Sequence, residues 1–234
     1  MKSFRLPSFQ GFYILVVALT LSCGAALAQE MSKWDSTYRP DIYDSRVELF
    51  KASAHRKSDI VMLGNSITFW GDWYEMTGSR KIKNRGIPGD ITFGVLNRLD
   101  EVIQGKPAKI LILIGINDLA RNIPEKVIVR NFLRMIKELK AGSPSTKIYI
   151  QSLLPVNDTF GKLTNHYSKG AEIISLNTQL KSLTEKENVT FIDLHSHFTD
   201  REGKLKKEFT WDGVHLTLAG YHQWLKVLKA MKYL

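Results

Sequence analysis

The sequence predicts an α/β protein: a three-layer α/β/α sandwich around a central five-stranded parallel sheet. Three observations carry that prediction. Five apolar runs of strand length are spread along the chain, and segments of helical period lie between them. Several of the runs are continuously apolar rather than alternating, as expected of strands covered on both faces. Strand and helix in alternation build a parallel sheet through crossovers, which puts helices on both sides.

The elements follow in order. Asp59 to Leu63 is the first strand, ended by Gly64-Asn65-Ser66, and the short run Lys81 to Lys83 is the second, leading into Asn84-Arg85-Gly86-Ile87-Pro88-Gly89-Asp90. Ile91 to Gln104 has a helical period. Lys109 to Ile114 is the third strand, followed by Gly115-Ile116-Asn117-Asp118 and the helical stretch Glu125 to Ala141. Lys147 to Gln151 is the fourth strand, Ala171 to Leu183 a helix, Val189 to Ile192 the fifth strand and Leu218 to Met231 the last helix. In such sheets ligands bind beyond the carboxyl ends of the strands. Ser66, Gly86 and Asn117 each follow a strand run closely, and His215 reaches the same edge from a loop before the last helix.

Those positions carry a chemistry. A serine hydroxyl is a weak nucleophile at neutral pH, so it needs an imidazole to take its proton and an acid to hold that imidazole in one tautomer. Ser66 supplies the hydroxyl, and Asp212 and His215, three apart, are able to meet within one turn. Taken alone, a serine such as Ser66 after a strand and a glycine is usually a turn or helix cap, Asn117 has the alternative of a turn residue, and Asp90 and Asp118 that of caps. No Gly-x-Ser-x-Gly pentapeptide occurs, so this is not the nucleophile elbow of the α/β-hydrolases.

In their order along the chain, Gly64-Asn65-Ser66, Asn84 to Asp90, Gly115 to Asp118 and Asp212-Gly213-Val214-His215 resemble the blocks of the SGNH hydrolases, the GDSL esterase/lipase family. The match runs from about Ile60 to Tyr221. The wording of the second and third blocks is similar to the branch containing the platelet-activating-factor acetylhydrolase subunits and bacterial carbohydrate esterases. The resemblance implies an SGNH/flavodoxin-like fold and a triad of Ser66, His215 and Asp212. It also implies an oxyanion hole formed by the N–H groups of Ser66 and Gly86 and the side-chain amide of Asn117. Asn65 departs from the family, which has aspartate there; that aspartate is not the triad acid, so the change bears on local hydrogen bonding more than on the reaction.

Trp70, Trp73 and Trp211, close in sequence to these positions, are candidate substrate-binding rings, with core packing as the alternative. His195-Ser196-His197, near Asp193 and Asp200, resembles a metal pair. A serine triad needs neither metal nor cofactor, so none is expected.

The ends and composition bound the rest. Residues 1–28 read as an export signal, with Lys2 and Arg5, an apolar run from Tyr13 to Leu21, and Ala26-Leu27-Ala28 as the cleavage site. Cys23 raises a lipoprotein alternative, although Thr20 stands where a lipobox wants an aliphatic residue. The mature chain 29–234 then has no cysteine, lacks any linker or repeat, and is expected to form one domain in the periplasm or outside the cell. Stable membrane insertion is not expected, because the apolar run is short of the ~20 residues that span a bilayer.

The net charge of +10 is dispersed. Its densest cluster, Lys204 to Lys207, lacks interleaved aromatics, which argues against nucleic acid. The expected substrate is a small-molecule or glycan ester: a short acyl group, acetyl foremost, on a carbohydrate. A lysophospholipase or acyl-thioesterase is the alternative within enzymes, and a non-catalytic glycan-binding module is the alternative outside them.

Overall fold

The structure is a computed structural model that describes residues 34–234. The expected signal peptide, its cleavage site and Cys23 lie outside the described residues. Within Ser36–Leu234 the five strands are β1 (Ile60–Gly64), β2 (Ile82–Gly86), β3 (Lys109–Leu113), β4 (Lys147–Gln151) and β5 (Thr190–Ile192). All pair in parallel, in the order β2-β1-β3-β4-β5. The predicted α/β/α sandwich is thus the observed fold.

The helices are α1 (Tyr43–Ala52), α2 (Ser66–Phe69), α3 (Trp73–Thr77), α4 (Thr92–Asn97), α5 (Leu99–Gly105), α6 (Ile116–Ala120), α7 (Glu125–Gly142), α8 (Thr164–Tyr167), α9 (Gly170–Lys186), α10 (His195–Phe198) and α11 (Leu218–Ala230). Helix α7 touches α4, α5 and α9 and forms one layer with them, while α11 packs with α10 in the other. Helix α7 buries Val127, Ile128, Phe132, Met135, Ile136 and Leu139, one apolar stripe in which each side chain contributes roughly 1.5–3 kcal/mol. The central strands match it from the sheet side: Ile110, Leu111 and Ile112 of β3 are fully buried.

The order of strands has a functional consequence. The chain runs outward from β1 to β2, then returns to the other side of β1 for β3. β1 and β3 are therefore the pair between which the winding reverses, the place where open α/β sheets leave a crevice. Ser66 follows β1 and Asn117 follows β3, so the two flank that crevice.

Several elements differ from expectation, the short helices α2, α3, α6, α8 and α10 and the longer β2 among them. The helix anticipated over Ile91 to Gln104 is broken at Arg98 (φ −119°, ψ 12°) into α4 and α5. Arg98 is buried there. Its guanidinium meets Asp90 Oδ2 at 2.9 Å and donates to the Gly64 carbonyl at 3.1 Å, a tertiary demand that overrides the local period. Helix α1 has no counterpart among the expected elements, because only Tyr43 and Phe50 of its ten residues are buried and the rest show no stripe.

Candidate active site

Ser66 is the first residue of α2, immediately beyond β1. The departure from the family at Asn65 proves mild: its buried side chain caps the helix, with Oδ1 accepting from the Ile67 N–H at 3.0 Å, a bond an aspartate would also make. The capping role that competed for Ser66 thus belongs to its neighbour.

Asp212 and His215 come from a loop closed by the bridge between Thr210 and Leu216. His215 Nε2 lies 2.9 Å from Ser66 Oγ, and His215 Nδ1 lies 2.6 Å from Asp212 Oδ2. Asp212 Oδ1 also accepts from the backbone N–H of His215 at 2.7 Å and of Val214 at 3.0 Å. Three donors therefore converge on one carboxylate, which fixes the ring plane and leaves Nε2 facing the serine. The Trp211 ring stacks on His215 with centroids 5.3 Å apart, restraining the imidazole from its other face.

Asn117 lies on α6, just beyond β3. Its Nδ2 donates to the Asp90 carbonyl at 2.9 Å, which settles the amide orientation because a flipped amide would set two oxygens against each other. Oδ1 then faces His166 Nε2 at 3.1 Å. An amide oxygen only accepts, so His166 holds its proton on Nε2. Burial, and secondly the neighbouring His215, lower the His166 pKa, in keeping with a neutral ring. No motif or spacing in the sequence marks His166.

Gly86 does not fit the oxyanion role carried over from the family. Its N–H donates to Asn84 Oδ1 at 2.9 Å, and the same side chain's Nδ2 holds the Phe69 and Gly71 carbonyls at 2.9 and 3.1 Å. Nor does it sit in a left-handed turn. It ends β2, and a Cβ there would stand 2.3 Å from the Phe69 nitrogen, so glycine is required by the close approach of α2. Gly89 is the residue of this loop with positive φ, at 78°, and among the described residues no acceptor meets its N–H. It adjoins Asp90, whose carbonyl holds Asn117.

The tryptophans separate. Trp73 is only 2% exposed, donates from Nε1 to the Thr68 carbonyl at 3.0 Å and packs edge-on against Trp224; it is core, which corrects its assignment to the substrate. Trp70 and Trp211 are 57% and 52% exposed. They line a groove of about 530 Å³ with Asp72, Glu75, Met76, Leu216, Leu218 and Tyr221. The histidine pair lies on α10, where His195 Nδ1 is 3.2 Å from the Thr199 hydroxyl. Among the described residues no group of three or more His, Cys, Asp or Glu is arranged to hold a metal ion.

Behind the site, Asp90 and Asp118 serve the fold: Asp90 Oδ2 pairs with the buried Arg98 guanidinium at 2.9 Å rather than capping a helix. Asp118 accepts from the Thr92 N–H at 3.0 and 3.1 Å and from its hydroxyl at 2.5 Å, closing the start of α4. Burial pushes its carboxyl up to about 7, with the Thr92 bonds acting in the opposite sense. A raised acid binds its proton more tightly folded than unfolded. The stability it contributes is complete below the ordinary carboxylate range near ~4 and is lost as pH rises through about 7. Melting of the parent chain should accordingly fall relative to Asp118→Asn between about pH 5 and pH 8. A gap between their midpoints that stays constant over that range contradicts the assignment.

Comparison with known proteins agrees with the geometry. Residues 58–223 match the model of the GDSL-like Lipase/Acylhydrolase family. The rat platelet-activating factor acetylhydrolase IB subunit alpha2 is 26% identical over 179 residues, 74% of this chain and 75% of that one. A Streptococcus pneumonia structure, provisionally assigned as a platelet activating factor, superposes with a TM-score of 0.75 at 31% identity, covering 88% of this chain and 98% of its own. A GDSL-like lipase from Bacteroides thetaiotaomicron gives 0.70 at 26% identity, with 82% and 98% covered. By sequence and by fold, the chain belongs to the GDSL-like lipase/acylhydrolase family of carboxylic ester hydrolases.

Proposed function

We propose that the protein is an exported serine esterase that removes short acyl groups, acetyl foremost, from a carbohydrate. The observation that carries this is the unbroken line of hydrogen bonds from Ser66 through His215 to Asp212, at 2.9 and 2.6 Å. Ser66 Oγ attacks the ester carbonyl while His215 Nε2 takes its proton, and Asp212 stabilises the imidazolium that forms. The tetrahedral intermediate collapses to an acyl-serine as His215 passes that proton to the leaving alcohol. Water, deprotonated by the same nitrogen, then releases the acid and restores the serine.

The oxyanion meets the Ser66 N–H and the second hydrogen of Asn117 Nδ2, whose first is held by Asp90. The third donor in this reading is the Gly89 N–H in place of that of Gly86. The acetyl preference draws on the relatives named acetylhydrolases. The sugar draws on the exposed faces of Trp70 and Trp211, which suit the apolar faces of pyranose rings. The same groove favours a second reading, a lysophospholipase or acyl-thioesterase, because its lining is largely apolar.

Chain length separates the two. Each methylene taken into an apolar groove contributes about 0.8 kcal/mol, so a lipid enzyme should gain in kcat/KM from C2 to C12 p-nitrophenyl esters. The expected result is a maximum at C2 to C4. A maximum at C8 or longer overturns the carbohydrate reading, and acetylated glycans assayed beside lysophospholipids identify the natural class. Export is part of the proposal: mature protein should begin at Gln29 by intact mass, whereas a lipid-bearing chain beginning at Cys23 contradicts it.

A further inference from the structure

Helix α8 belongs to none of the sequence blocks, yet it touches both halves of the machinery. Its Tyr167 hydroxyl donates to the Asp212 carbonyl, and the Tyr167 ring lies where a side chain on residue 213 would be: a Cβ on Gly213 would come within 2.9 Å of it. The adjacent residue, His166, reaches Asn117 Oδ1 at 3.1 Å across 49 positions of sequence. Asn117 is consequently held at both ends, by Asp90 through Nδ2 and by His166 through Oδ1.

A single bond through Nδ2 leaves a carboxamide free to swing about that contact. The second bond removes the swing and aims the remaining Nδ2 hydrogen at one point. Preorganised donors of this kind are effective because they need no reorientation as charge develops. We propose that His166 is a positioning residue for catalysis, which holds the Asn117 amide in line with the oxyanion through its Nε2–H while Tyr167 anchors the turn that carries it. This rests on the reading of Asn117 as an oxyanion donor. His166 itself need not touch the substrate.

The test is a double-mutant cycle on p-nitrophenyl acetate with the full-length mature protein. His166→Leu should lower kcat roughly tenfold, within the range expected for coupled neighbours, and change KM by less than about twofold, since ground-state binding is untouched. His166→Gln, whose amide can still donate, should recover most of the loss. Placed on Asn117→Ala, His166→Leu should cost little more, because the group it orients is gone. Equal losses in the parent and Asn117→Ala backgrounds, or a loss confined to KM, overturn the proposal while leaving the oxyanion reading intact. An Asn117→Ala variant with undiminished kcat overturns both. Thermal midpoints are recorded for each protein, and His166→Asn, too short to reach Asn117, replaces the leucine variant should that one not fold.

Discussion

Ser66→Ala and His215→Ala are each expected to lower kcat by roughly 10⁴-fold or more with the fold intact, and the double variant should be hardly slower than either. In the proposed reaction the hydroxyl and the imidazole carry out one proton transfer across their 2.9 Å contact, so removing one partner leaves the other with nothing to do. The residual rate comes from the oxyanion donors and from binding. Asp212→Asn should retain more activity than either, because the backbone N–H groups of Val214 and His215 continue to hold the loop. Initial rates and thermal midpoints decide the matter. Losses that multiply in the double variant, or a fully active Ser66→Ala, show that the nucleophile is elsewhere.

Asn117→Ala is expected to lower kcat by about 100-fold or more with a small change in KM. The amide is held by the Asp90 carbonyl and His166 before substrate arrives, and in the proposed reaction its free hydrogen is directed at charge that exists only after attack. A change confined to KM would make Asn117 a substrate-binding group and would move the search for the oxyanion donor to the Gly89 loop. The same substitution also removes the bond to the Asp90 carbonyl, so the thermal midpoint is measured alongside.

The sheet was legible because strands buried on both faces cannot hide their apolar runs: four of the five expected strands lie within a residue of the observed ones. Only β2 extends well past its apolar stretch, because it contains Lys83, Asn84 and Arg85. Ser66, Asp212 and His215 were legible through residue type and spacing, and the structure brings them into contact. What escaped depends on partners distant in sequence. The break at Arg98 answers to Gly64, 34 residues away, and His166 matters through Asn117. Trp73 is chemically indistinguishable from Trp70 in the sequence, and it is the bond to Thr68 and the packing on Tyr221 and Trp224 of α11 that make Trp73 core while Trp70 stays at the surface. The Gly86 amide is occupied by Asn84 Oδ1, a contact that a motif does not carry.

The Asp90–Arg98 pair has a consequence for how this sequence is able to change over generations. Both groups are buried, and Arg98 also holds the carbonyl of Gly64, two residues before Ser66, while Asp90 offers its own carbonyl to Asn117. Losing either charge alone strands the other in the interior at about 3–5 kcal/mol, a large part of the stability of a domain this size. A compensated apolar replacement of both need cost far less. The two positions are thus epistatic: single steps away from Asp or Arg descend into a fitness valley, and descendants of this chain should keep the pair or exchange it whole.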